Sequence, residues 1–200
     1  MNPAPLKCLL ATALLGALAR PGAVVPYVHE GNLAAEISFG VPEDWVVQNE
    51  QELLISGFIV PPEPLFALVA SPDQSPSSFV LEASPAPWLF VTVEDVPRIL
   101  PPSQTYELVP QYLLQAEPGY YGAEVKTLVA HHSVHQGGLS GSAAALMVVS
   151  SAGSTSFDEL VYEKGSQLWL IVAGCSASCY GSNWTTIVQI VNGVRVGTAA

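Results

Sequence analysis

The chain is predicted to be an α+β domain: an antiparallel β-sheet flanked by two or more helices in an α/β/α sandwich. Three observations carry this. Half of the 200 residues are hydrophobic and only 12% are charged, against roughly 25% in an ordinary soluble domain, so there is a sizeable core to bury and disorder is excluded. Apolar runs of strand length, rich in β-branched and aromatic residues, recur between Gly- and Pro-containing turns. At two places the apolar period lengthens to that of a helix. Strands joined by tight turns pair antiparallel, and two amphipathic helices can each cover part of the sheet. No internal repeat or linker divides the chain, which reads as a single domain over residues 35–197.

The N-terminus comes first and reads as an address. Residues 1–7 carry one positive charge, Lys7, and residues 8–19 form a run of 12 uncharged, mostly apolar positions. Spanning hydrocarbon takes ~20 residues, so the run is too short for a membrane helix. With Ala17-Leu18-Ala19 ahead of Arg20, it has the form of a secretory signal peptide over residues 1–19, with Ala23 as a second cleavage point. This predicts a secreted or extracytoplasmic protein whose mature chain has no transmembrane span. Cleavage after Ala19 leaves five basic residues against 17 acidic ones, a net charge near −12 rather than the −11 of the whole chain. So acidic a surface excludes nucleic acid and electrostatic docking on anionic membrane. Cys8 is lost as well. Cys175 and Cys179 remain, and an even count in an exported chain favours a disulfide between them. The loop it closes is very small, so it would stiffen one turn and add little to global stability.

Residues 20–34 read as a leader without periodic pattern. Residues 36–42 alternate as a strand ending at Pro42. Residues 45–48 resume after a Pro-Glu-Asp turn, which predicts a hairpin. A third apolar run covers 53–60 before Pro61-Pro62. Further strands are predicted at 66–70 and 88–93, with mostly loop between them. Val109, Tyr112, Leu113 and Ala116 then fall on one helical stripe, closed by Pro118-Gly119. Four strands come next, at 124–130, 143–150, 157–162 and 168–173. Gly165 supplies the positive φ of a hairpin turn between the last two. Trp184, Ile187, Val188 and Val191 form the second helical stripe, with Ser182 or Asn183 as the expected N-cap.

Several of these residues form a recognisable set. Phe39, Val41, Pro42 and Trp45 give an aromatic-x-hydrophobic-Pro-x-x-Trp strand opening. Gly138-Leu-Ser-Gly precedes a strand, and a Gly165 hairpin turn leads into Leu168-Trp-Leu-Ile-Val172, a short loop and a closing helix. Over residues 35–196 the chain resembles the PsbP-like superfamily, which includes photosystem II extrinsic subunits, a Ran-binding nuclear import factor and secreted actinobacterial proteins of the LpqN type. The likeness is nearest to the last group, where a Pro-Gly-aromatic step after the central helix recurs, here Pro118-Gly119-Tyr120. The resemblance implies a sheet flanked by helices, and binding or assembly rather than catalysis. Without a lipobox cysteine or a photosystem-specific signature, it implies neither anchoring nor photosynthesis.

The most chemical-looking stretch is His131-His132-Ser133-Val134-His135. Neutral imidazoles suit Zn, Cu or Ni, which makes His131, His132 and His135 the candidate metal ligands. On a strand, His131, Ser133 and His135 share one face and His132 points away. No acidic or cysteine ligand lies nearby in sequence, and the polar end of a strand accounts for the segment more simply. Ser140 lacks the G-x-S-x-G setting of a nucleophile. Glu43-Asp44 and Glu94-Asp95 are neighbours whose side chains diverge on a strand, which suits turns better than a glycosidase pair. Asn183-Trp184-Thr185 matches a glycosylation sequon by chance. Trp45, Trp88, Trp169 and Trp184 read as core, whereas Tyr120 and Tyr121, in a loop, are candidates for a partner interface. Without a coherent catalytic set, the expectation is an exported, non-enzymatic domain that binds a protein or cell-envelope component and needs no cofactor. The alternative is a small-ligand or metal carrier built on residues 131–135.

Overall fold

In the computed structural model, residues 27–32, 36–49, 64–72, 83–95, 124–150 and 153–197 are described. In chain order they form β1 (Tyr27–Asn32), β2 (Ile37–Pro42), β3 (Val46–Asn49), β4 (Phe66–Ser71), β5 (Trp88–Asp95), β6 (Glu124–Gln136), β7 (Leu139–Ser150), β8 (Gly153–Lys164), β9 (Gln167–Ser176), α1 (Ala177–Gly193) and β10 (Arg195–Val196). Seven strands make one antiparallel sheet in the order β3-β4-β5-β9-β8-β7-β6, and β1-β2-β10 make a second. The predicted sheet is present. Of the two or more helices expected to flank it, α1 is the one found among the described residues. The other predicted helix, on the stripe from Val109 to Ala116, lies outside them, as do residues 1–19, the apolar run at 53–60 and Tyr120-Tyr121.

The large sheet is two meanders joined by the β5–β9 pair, in which Phe90 faces Val172 and Val93 faces Trp169. β9 is central and its apolar run is buried on both faces. The hairpins at this end of the sheet are built by residues suited to their turns. Gly165, at φ +66°, turns β8 into β9 as predicted, and Gly137-Gly138, at φ +56° and +79°, turn β6 into β7. Two consecutive positive φ values are the requirement of a two-residue turn that keeps to the twist of its strands.

Three local readings are corrected. The Pro-Glu-Asp turn after β2 exists, with Trp45 N donating to Pro42 O at 3.0 Å, but it is not a hairpin: β2 belongs to the small sheet and β3 pairs with β4. A local turn signal carries no information on which sheet receives the next strand. Part of the expected leader, Tyr27–Asn32, is β1, paired along β2 from Tyr27–Pro42 to Asn32–Ile37. Backbone pairing supplies an order that no side-chain period announces. Finally, α1 starts at Ala177, earlier than the stripe suggested. Ser176 ends β9 and caps the helix, its hydroxyl accepting from Cys179 N at 3.3 Å. Replacing Ser176 by Ala should cost about 1 kcal/mol in a urea titration; no change would mean that the cap is not formed.

α1 lies on one face of the large sheet. Cys179, Ile187, Ile190 and Val191 turn inward, and Ile37, Phe39 and Val41 of β2 join the same buried cluster as Val91, Trp169 and Ile171. Each aliphatic chain fully buried in this way stabilises the fold by roughly 1.5–3 kcal/mol. The sulfur atoms of Cys175, in β9, and Cys179, in the first turn of α1, lie at disulfide distance, with Cα atoms 5.8 Å apart. That link fixes the angle at which the helix leaves the strand.

Candidate functional site

Two features stand out once the sheet is laid out, and both belong to its β8-β7-β6 end. β6 is the edge. It pairs with β7 on one side, with bulges between Thr127 and Val129 and between Val129 and His132, and most of its length is exposed. Exposed edges are ordinarily blunted by charge, Pro or bulges. β6 carries Glu124, Lys126 and two bulges, yet it also leaves Val129 52% exposed and Val125 and Leu128 partly in solvent. Across from it, Trp184 of α1 is 54% exposed. A groove of about 210 Å³ runs between them, walled by Val129, Val134, Ala143 and Leu160 from the sheet and by Trp184 and Val188 from the helix. Its polar lining includes His132, Asp158 and Asn192. Trp184 is thus not core, as its place on the apolar stripe had predicted. With α1 starting at Ala177, the inward face runs through Cys179, Ile187 and Ile190, and Trp184 falls on its flank.

The second feature is the pair of adjacent acids in β8. Alternation sends Asp158 and Glu159 to opposite faces. Asp158 faces the helix, where the Tyr180 hydroxyl donates to Oδ2 at 3.0 Å. Burial raises the Asp158 pKa above the usual carboxylate range, and the Tyr180 hydrogen bond partly opposes this. The Tyr180 hydroxyl is raised in turn, by burial first and then by Asp158. Glu159 faces the other way and is 1% exposed. In register it stands beside Ala144 of β7 and Val172 of β9. Neither carboxyl oxygen has a hydrogen-bond partner among the described residues, and burial pushes its pKa up to about 8. The imidazole Nε2 of His131 is 4.0 Å from Oε1.

The three histidines do not converge. His131 stands against Glu159 on one face, His132 lines the groove on the other, and His135 pairs with Ser140 near the hairpin tip. At ~3.3 Å per residue, His131 and His135 are separated by roughly 13 Å along the strand. Among the described residues no three His, Cys, Asp or Glu side chains come together as a metal-ligand set. No helix among the described residues is long and apolar enough to cross a membrane. Reading the residues in order missed Asp158, Glu159 and Tyr180. The available signal was an acidic pair interrupting an apolar strand flanked by other strands, where one acid must face inward.

No protein-family profile and no curated protein sequence matches the chain. Solved structures do. The cyanobacterial PsbP protein CyanoP from Synechocystis sp. PCC 6803 superposes with a TM-score of 0.57 at 9% identity, covering 91% of this chain and 98% of that one. The fold is PsbP-like. A point mutant of Mog1 superposes with a TM-score of 0.53 at 11% identity, over 86% of this chain and 96% of its own. LpqN of Mycobacterium tuberculosis, described as involved in cell envelope biogenesis, gives 0.45 at 12% identity, over 86% and 85%. At these identities the PsbP-like likeness is one of architecture.

Proposed function

We propose that this PsbP-like chain is an exported, non-enzymatic binding domain that holds a protein or cell-envelope partner along the β6–α1 groove. The observation that carries the reading is the coincidence of a sheet edge that has no second strand partner among the described residues with exposed apolar side chains. Val129 of β6 and Trp184 of α1, each more than half exposed, face one another across the groove. Monomeric soluble domains rarely leave such a patch beside an open edge unless something binds it. The N-terminal segment with its Ala17-Leu18-Ala19 site supports export, and the Cys175–Cys179 pair suits an oxidising compartment. Residues 1–19 are then removed, and the mature chain folds as one domain.

The test is position-specific photo-crosslinking in the producing cell. A photoreactive residue at Val129 or at Trp184 should yield the same discrete adduct. The same residue at Lys164, exposed at the end of β8, should yield none. Adducts that are absent at the groove, or equally strong at Lys164, would remove the groove from the binding face.

A further inference from the structure

We infer that the β6–α1 groove is built to take one cationic alkyl side chain, a lysine or arginine of a protein partner, with its stem between Val129, Leu160 and Trp184 and its charged head at Asp158. This rests on the groove being the binding face and names what enters it. Size is the first argument. About 210 Å³ is below the ~300–1,000 Å³ of pockets that enclose whole small molecules, but suits one long side chain.

Charge is the second. Asp158 lines the groove, and its carboxylate holds one hydrogen bond, from Tyr180 to Oδ2. Among the described residues no Lys or Arg forms an ion pair with it: Lys126 of β6 is engaged with Glu124 at 3.4 Å, and Lys164 with Glu36 at 3.3 Å. A half-buried carboxylate in an apolar setting is costly without a counter-charge, and a guest ammonium or guanidinium supplies one. A purely apolar guest would further desolvate Asp158 and leave it uncompensated. An anionic guest would meet both Asp158 and the net charge of −11. Trp184 is the third argument. An indole exposed at the groove adds a cation–π contact to an apolar one, and Lys and Arg stems pack well along apolar walls. The outer edge of β6, which pairs with no further strand among the described residues, offers backbone partners to the segment that carries the side chain.

The experiment titrates the folded mature protein, its tryptophan indole signals monitored by NMR, with three probes. These are a blocked pentapeptide with a central lysine flanked by Val and Thr, the same peptide with norleucine, and n-butylamine. The lysine peptide should move the Trp184 signal, and the norleucine peptide should bind about tenfold or more weaker, as expected for losing a charged hydrogen bond. Asp158→Asn should reduce the lysine peptide to the norleucine level, while Tyr180→Phe, which keeps the carboxylate, should retain the preference for lysine. Trp184→Ala, at an exposed position, keeps the fold and should weaken the lysine peptide. Equal binding of the norleucine peptide overturns the proposal while leaving the groove as the binding face, provided the Val129 and Trp184 crosslinks persist. Binding of n-butylamine as tight as the peptide overturns it in favour of a small-cation site. No shift with any probe overturns it as well.

Discussion

Raising the pH from 5 to 9 should destabilise the folded domain by on the order of 4 kcal/mol, and Glu159→Gln should remove most of that loss. The carboxyl of Glu159 is buried beside Ala144 and Val172, and its pKa is pushed up from 4.5 to about 8. Between these values the folded chain keeps a proton that the unfolded chain releases. Stability therefore falls as pH rises, by ~1.4 kcal/mol for each pH unit in which the two states differ by one proton. The contribution is fully present below pH 4.5 and is lost as the pH rises through about 8. A protonated His131, with Nε2 at 4.0 Å, would supply a counter-charge to the ionised carboxylate; a neutral one would not. Urea midpoints at pH 5, 7 and 9 check this. A wild-type profile as flat as that of Glu159→Gln would show that Glu159 is not held protonated in the folded state.

The same acidic pair marks where the sequence was legible and where it was not. β7, β8 and β9 could be read because each holds apolar, β-branched or aromatic residues between Gly- or Ser-containing turns, and Gly165 marks its turn directly. That order of elements implies an antiparallel α+β architecture, and the PsbP-like resemblance rests on the short motifs around Phe39–Trp45, Gly138–Gly141 and Leu168–Val172. The site was harder. Glu43-Asp44 do form a turn, but Glu94-Asp95 lie in β5 with Glu94 buried, so the expectation of turn residues holds for the first pair only, and Asp158-Glu159 repeat the second case. There the strand is flanked on both sides, by β7 and β9, and the inward acid becomes the buried one. The groove could not be read at all. It depends on which strand is the edge and on where α1 starts, and Ser178, Gly181, Ser182 and Asn183 look like loop until Ser176 caps them into a helix. The histidines illustrate the intermediate case: alternation correctly parts His131 from His132, but only the sheet reveals what stands opposite each.

Trp169→Ala should cost about 3–5 kcal/mol, whereas Trp184→Ala should change stability by no more than about 0.5 kcal/mol. By sequence the two are alike, each an indole within an apolar segment. By position they are opposites. Trp169 is 0% exposed in β9, paired with Val93 on one side and Tyr162 on the other, on the face that α1 covers. Truncating it removes a large apolar surface from the middle of the sheet, and strands held in ladders on both sides cannot close over the cavity. Trp184 stands at the groove, more than half in water, so its removal leaves no cavity. The pair thus separates packing from binding. Denaturant midpoints of the two variants, taken beside their crosslinking at Val129, should show Trp169→Ala losing stability and Trp184→Ala losing partner capture at unchanged stability. A Trp184→Ala variant that unfolds as readily as Trp169→Ala would place that indole back in the core and remove one wall of the groove.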